Sequence, residues 1–395
     1  MNREQRRAQR KQRTAPTTSV PEGTTPFATA LRHYQAGDLD EAERLCRRIL
    51  AHDPHGADSL NLLGVVVARR TGRHDLAAAM IRQAITIDAT AASYHSNLGN
   101  LLMEQGRLDE AAACYRTAIA LQPHFSESHN NLGNVLKAQR RLDEAATCYR
   151  AALAFRPDFP DARYNLGVAS LTRGNLAAGW KDYEWRWRTP DLIDACRGFA
   201  QPQWRGDAAM GRTLLIHAEQ DFGDTLQFCR YAPLAAVRGL KVILEMQPPL
   251  VRLLHSLPGI DRVLARGEFL PDFDLHCPML SLPLALETTL ATIPGTTPYL
   301  RADVAEVVAW WARLAVLPAR GPRVGLVWAG SARAHAPTLA AVDRRRSLAP
   351  DRLASLVDLP GLHFLSLQKG GPEKPADFVM TDFMEGWRTL SPRRR

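Results

Sequence analysis

The chain has 395 residues, 46% apolar and 23% charged, with a formal net charge of +9, which is the make-up of an ordinary globular protein with room for two or three domains. No stretch approaches the roughly 18 apolar residues of a membrane span, Met1 to Arg7 lacks an apolar leader core, and the six cysteines include no Cys-x-x-Cys pair; a membrane span and a disulfide scaffold are excluded, and a cytoplasmic location is expected. The charge sits at the ends, where six basic residues against Glu4 in residues 1–13 and the final Arg393, Arg394 and Arg395 carry nearly all of it. Solvated tails account for that pattern, and nucleic acid is not the expected partner.

Residues 1–22, polar and rich in Arg, Thr and Pro, read as a disordered basic tail. From residue 23 a period of 34 takes over, marked by Asn97-Leu98-Gly99, Asn131-Leu132-Gly133 and Asn165-Leu166-Gly167. Each copy has a small residue in a first helix, a glycine turn, alanines in a second helix and a closing proline. Residues 92–125 show Gly99, Gly106, Ala111, Ala118 and Pro123. Residues 126–159 repeat the scheme with Arg140 at the turn, residues 23–56 with Ala30 for the first glycine, and residues 57–91 with one inserted residue. Small residues belong where two helices cross closely, and proline ends the second helix because it cannot continue the hydrogen-bond ladder. The pattern resembles the tetratricopeptide repeat, an α-solenoid, with four copies and a degenerate fifth over residues 23–187. In the fifth copy Trp180, Tyr183 and Trp187 share a helical face and read as an apolar cap that ends the stack and docks the next domain.

The first helix of such a repeat lines the concave face, so Asn97, Asn131 and Asn165 form a column there, with Asn100 and Asn134 one turn on. Carboxamides in a column can hydrogen-bond the backbone of an extended protein or peptide segment without choosing its side chains. Local packing is the competing explanation. Leu62 holds the position in the second repeat, which limits the column to three rungs.

Residues 188–212, with Pro190, Pro202 and Gly206, read as a linker. Beyond it, strand patterns at 213–219, 241–246, 323–330 and 363–368 alternate with helical patterns at 224–238, 248–256 and 300–316. That alternation predicts Rossmann-like, doubly wound parallel sheets, one over residues 213–320 and a second over 321–395, with Gly321-Pro322 as the seam. Ligands of such sheets bind beyond the carboxyl ends of the strands, at the loops after Glu219 and Gly330.

The stretch from His217 through Glu219-Gln220-Asp221-Phe222-Gly223-Asp224 to Pro233 resembles the acceptor-side motif of bacterial tetratricopeptide glycosyltransferases, which are related to heptosyltransferases. The Trp185-Arg186-Trp187 element, Phe199 to Gly206, Gly325 to Gly330 and Ser366 to Gly370 fit the same family. A more distant similarity is to the O-linked N-acetylglucosamine transferases, whose asparagine column holds the acceptor protein. The resemblance implies a GT-B fold and sugar transfer from a nucleotide sugar, as substrate rather than cofactor, to a hydroxyl acceptor. It makes Asp224 the candidate base, with Glu219, Gln220 and Gly223 on the acceptor side. Asp224 to Gln227 also reads as a helix capping box, and both roles stay open. His217, inside a buried strand, reads as a satisfied core histidine.

On the donor side Gly330 and Ser331 present backbone N–H groups after a strand, and Arg346-Ser347 matches the family's Arg-Ser before a helix. Lys369 is a further phosphate-binding candidate. A basic surface turn explains the arginines equally well. No His, Cys or Asp cluster has metal-ligand spacing and no Gly-x-Ser-x-Gly occurs, so neither a metal site nor a hydrolase is expected. Residues 321–395 are fewer than the roughly 100–150 of an α/β lobe, and the family's nucleotide-gripping segment has no counterpart in them. The expectation is an incomplete donor lobe and doubtful catalysis, with a non-catalytic interaction scaffold as the alternative.

Overall fold

The structure is a computed structural model and describes residues 25–317, 321–330, 347–356, 359–368 and 378–382. The expected basic tail, and the candidates Ser331, Arg346 and Lys369, lie outside the described residues. The chain forms two compact units that divide between Arg301 and Ala302.

Among the described residues ten helices open the first unit: α1 (Pro26–Gln35), α2 (Leu39–His52), α3 (Ala57–Thr71), α4 (His74–Ile87), α5 (Ala92–Glu104), α6 (Leu108–Leu121), α7 (Ser126–Ala138), α8 (Leu142–Phe155), α9 (Pro160–Thr172) and α10 (Leu176–Tyr183). They pair antiparallel as five helix-turn-helix repeats, each packed on the next. The turns run through left-handed backbone at Gly37, Gly72, Gly106 and Gly174. In the fourth repeat Arg140 takes the same conformation at φ 65°, a strain of about 1–2 kcal/mol for a residue with a Cβ. The first helices of neighbouring repeats, α3, α5, α7 and α9, pack on one another more closely than the second helices do, which sets them on the inside of the stack.

After α10 the chain turns through a 3-10 segment, Glu184–Arg188, and later enters a four-stranded parallel sheet of order β3-β2-β1-β4: β1 (Thr213–His217), β2 (Lys241–Met246), β3 (Arg262–Ala265) and β4 (Leu275–Pro278). Helices α11 (Phe222–Phe228) and α12 (Ala232–Val237) carry the chain from β1 to β2, α13 (Val251–Leu254) from β2 to β3, and α14 (Leu282–Ala285) follows β4. The helix read over 224–238 is broken in two, with Pro233 in the first turn of α12, where its missing N–H is harmless. β3 and β4 escape the sequence pattern because each spans four residues and β4 carries His276 and Pro278.

Alternate side chains give the sheet two apolar faces. Leu214, Ile216, Val242, Leu244, Met246 and Cys277 share one core with Trp180 and Tyr183 of the last repeat and with Trp204. Leu215, Ile243 and Leu264 pack under Phe199, Leu270 and Phe273 on the other. The segment read as a linker is thus tied to the sheet: Trp204 donates its backbone N–H to His276 O at 2.8 Å, and His276 N–H reaches Pro202 O at 3.2 Å.

The second unit holds α15 (Val304–Ala315) and a three-stranded parallel sheet of β5 (Arg323–Leu326), β6 (His363–Ser366) and β7 (Thr381–Asp382), in that order. No helix of the described residues is long and apolar enough to cross a membrane.

Candidate functional site

Along α3, α5, α7 and α9 the asparagines are cross-braced from one repeat to the next. Asn97 Nδ2 donates to Asn61 Oδ1 at 3.1 Å, Asn131 Nδ2 to Asn100 Oδ1 at 3.0 Å, and Asn165 Nδ2 to Asn130 Oδ1 at 3.1 Å. Asn130 Nδ2 in turn donates to Asn131 Oδ1 at 3.2 Å. Asn61 lies one residue before the column position, which Leu62 holds, so the spacing does not point to it; Asn130 has the same offset in the fourth repeat and braces Asn165 in the same way. Each brace contributes about 1 kcal/mol net. More important for binding, it fixes the side-chain torsions while leaving each donor carboxamide a second N–H; Asn61, Asn97, Asn131 and Asn165 remain partly exposed, and Asn130 is buried.

The period of the motif has a packing cause. A Cβ on Gly99 would lie 2.8 Å from Tyr115 Cε1, and one on Gly133 only 2.5 Å from Tyr149 Cε1, so the glycine admits the tyrosine ring of the second helix. The ring's hydroxyl then orients the next asparagine: Tyr115 donates to Asn100 Oδ1 at 2.7 Å and Tyr149 to Asn134 Oδ1 at 2.9 Å. In the fifth repeat the corresponding tyrosine is Tyr183, and Val168 replaces the asparagine. Its hydroxyl turns to the loop after β1, where it accepts from Gln220 Nε2 at 3.3 Å.

That loop is held from several sides. Gln247 donates to Gln220 O at 3.0 Å and accepts from Thr225 Oγ1 at 2.9 Å. Asp221 is the N-cap of α11 and Asp224 its third residue, with Asp224 Oδ2 accepting from Asp221 N–H at 3.2 Å. The capping box is therefore Asp221 with Asp224, three residues earlier than the pairing of Asp224 with Gln227. Gly223 stands exposed in the first turn. Tyr164, next to Asn165, has its ring 5.4 Å from that of Tyr183, whose hydroxyl bonds Gln220 of this loop. The ladder and the loop are neighbours.

Glu219 is turned inward. Its carboxylate meets the fully buried Arg186 at 2.9 and 3.1 Å and the Leu280 N–H at 2.8 Å. Arg186 also bonds Glu184 at 2.6 Å and Ser281 Oγ at 2.7 Å, with its guanidinium over the Tyr183 and Trp187 rings. Glu184 and Glu219 keep Arg186 charged against the opposing effect of its burial. The strand order reverses between β1 and β4, where open parallel sheets hold ligands; at that point this chain places its own Arg186.

Beside it on the other face, His217 is 3% exposed and its Nε2 has no partner among the described residues, so the core histidine is not satisfied at that nitrogen. Burial first, then Arg197, His276 and other cations, push its imidazole down to about 3 from 6.5. The folded protein binds no proton there while the unfolded chain does below about 6.5. Stability is expected to fall as pH drops from about 6.5 toward 3, by a few kcal/mol from this residue. Denaturant titrations across that range should show it, with a shallower slope in His217→Phe; an unchanged slope would assign the loss elsewhere.

In the second unit Gly330 and Ser347 come together, the Gly330 N–H donating to Ser347 Oγ at 3.1 Å. Gln368 Oε1 accepts from the N–H groups of Trp328 and Ala329, both at 3.0 Å. The strand end thus spends these donors within the chain.

The class is defined by these features: a tetratricopeptide solenoid whose last repeat is built into a parallel α/β region. Residues 27–92, 96–158 and 130–183 match the tetratricopeptide repeat family. Protein FlbA of Caulobacter vibrioides is 29% identical over 240 residues, which cover 55% of this chain and 39% of that protein, so the chain spans well under half the length of this relative. Among solved structures, MamA is 23% identical and matches 40% of this chain and 91% of its own, with a TM-score of 0.35. PilF of Pseudomonas aeruginosa is 24% identical, with 40% and 72% covered and a TM-score of 0.38. YrrB, a tetratricopeptide protein with an unusual peptide-binding site, is 21% identical over 42% and 87%, with a TM-score of 0.34.

Proposed function

We propose that this protein binds an extended segment of a partner protein along α3, α5, α7 and α9, and that its α/β part is a glycosyltransferase-like GT-B lobe serving as a rigid end to the groove. The observation that carries this reading is the braced ladder from Asn61 to Asn165. Its carboxamides are held in place before any ligand arrives and keep N–H groups to offer an extended backbone.

A second reading is favoured by one observation. The Tyr164 ring beside the last rung packs on Tyr183, whose hydroxyl bonds Gln220 of the loop that carries Asp224, so a segment in the groove would end near the candidate base for transfer of a sugar from a nucleotide sugar to a hydroxyl. Against it, Glu219 and the Gly330 N–H are engaged inside the chain. The scaffold reading predicts that an array of extended 12-residue peptides contains binders, weakened at least about tenfold by combined Asn97→Ala, Asn131→Ala and Asn165→Ala with the helical circular dichroism retained. Binding indifferent to the triple change would sink the groove; saturable micromolar heat with a nucleotide sugar would move the reading to catalysis.

A further inference from the structure

Four residues after the repeat glycine, on the same face as Asn130 and Asn134, stands Lys137; the other repeats have Tyr34, Ala68, Met103 and Leu171 there. It is the one cation at that position of the ladder. Its side chain is partly buried, with Nζ donating to Asn165 Oδ1 at 2.9 Å and lying 5.9 Å from the centre of the Tyr149 ring. Among the described residues no carboxylate pairs with it, although fifteen other ion pairs form. Burial pulls its ammonium down to about 8 from 10.5 with no acid opposing the shift. Ammonium groups withdrawn from water without a counter-charge are costly, and folded chains ordinarily pair them.

We infer that the groove is specific for an extended peptide segment carrying an aspartate or glutamate side chain opposite Lys137. The peptide carboxylate supplies the negative charge that the ammonium lacks, and two of the three ammonium donors remain for it beyond the bond to Asn165. Asn134 stands one turn away with its Oδ1 taken by Tyr149, so its amide N–H groups are available to the same carboxylate. The ladder holds the peptide backbone at any sequence; Lys137 chooses the residue at one rung. A carboxylate in a partly desolvated site of this kind forms a charge-assisted hydrogen bond, about twice the strength of a neutral one.

The inference rests on the groove reading, and the test separates the two. Binders from the peptide array are resynthesised in pairs, with glutamate or glutamine at each acidic position, and their affinities for the full chain are compared by fluorescence anisotropy. At one register position the glutamate peptide is expected to bind about tenfold or more tighter. That ratio should collapse toward one in Lys137→Gln, which keeps a donor for Asn165, and recover in Lys137→Arg. A native ratio near one, or a ratio that persists in Lys137→Gln, overturns the inference while leaving the groove intact. An array without binders takes away the groove and the inference together.

Discussion

Arg186→Ala is expected to destabilise the first unit by about 3–5 kcal/mol, more than any other single charge removal, because it leaves Glu184 and Glu219 facing each other without their cation. The Glu219 side chain is only 2% exposed, held by Arg186 and the Leu280 N–H. The size of the loss comes from the orphaned acids rather than from the worth of the ion pair. Arg186→Ala combined with Glu219→Gln should therefore recover part of the stability, since a neutral amide is left in place of a buried charge. Urea unfolding of the two variants checks this. Equal losses in the single and double changes would mean that the guanidinium acts by packing against Tyr183 and Trp187 instead.

The second large effect is expected at Gly167. A Cβ there would lie 2.6 Å from Tyr183 N and 2.9 Å from Asp182 C, both backbone atoms that cannot swing aside. Gly167→Ala must separate α9 from α10, and a loss of about 3 kcal/mol is expected, although alanine is itself the better helix former by up to about 1 kcal/mol. At Gly99 the same change meets the Tyr115 ring, a side chain with some freedom to shift, so a smaller loss is expected there. Thermal unfolding of the two variants gives the order; a reversed order would show that α10 adjusts more readily than the tyrosine.

The repeats were legible because a packing rule recurs at fixed spacing: glycine, ring and asparagine return together, and the pattern survives even where Arg140 takes the turn. The brace through Asn61 was not legible, since Asn61 lies one residue before the column position that Leu62 holds and reaches Asn97 from the offset that Asn130 has in the fourth repeat. The two long strands of the first sheet, β1 and β2, announce themselves by apolar runs, whereas β3 and β4 are set by neighbours already in place. For the site, Asp224 was found by motif, but its partner in the capping box was misassigned because two aspartates three residues apart offer the same local chemistry. Glu219 was read as an acceptor-side residue at a strand end; nothing local signals that Arg186, 33 residues earlier in the chain, would occupy that end. Lys137 carries no motif at all and is distinguished by having no carboxylate paired with it among the described residues.

Trp180 and Tyr183 belong at once to the last repeat and to the core beneath β1, β2 and β4. A repeat array excised at residues 188–212 would carry these rings to its new surface as a sticky end, and the sheet left behind would lose part of its floor. Excision before α9 avoids this but discards Asn165 and with it the acceptor that anchors Lys137. For anyone seeking the smallest fragment that retains recognition, the repeats and the first sheet have to be made as one piece.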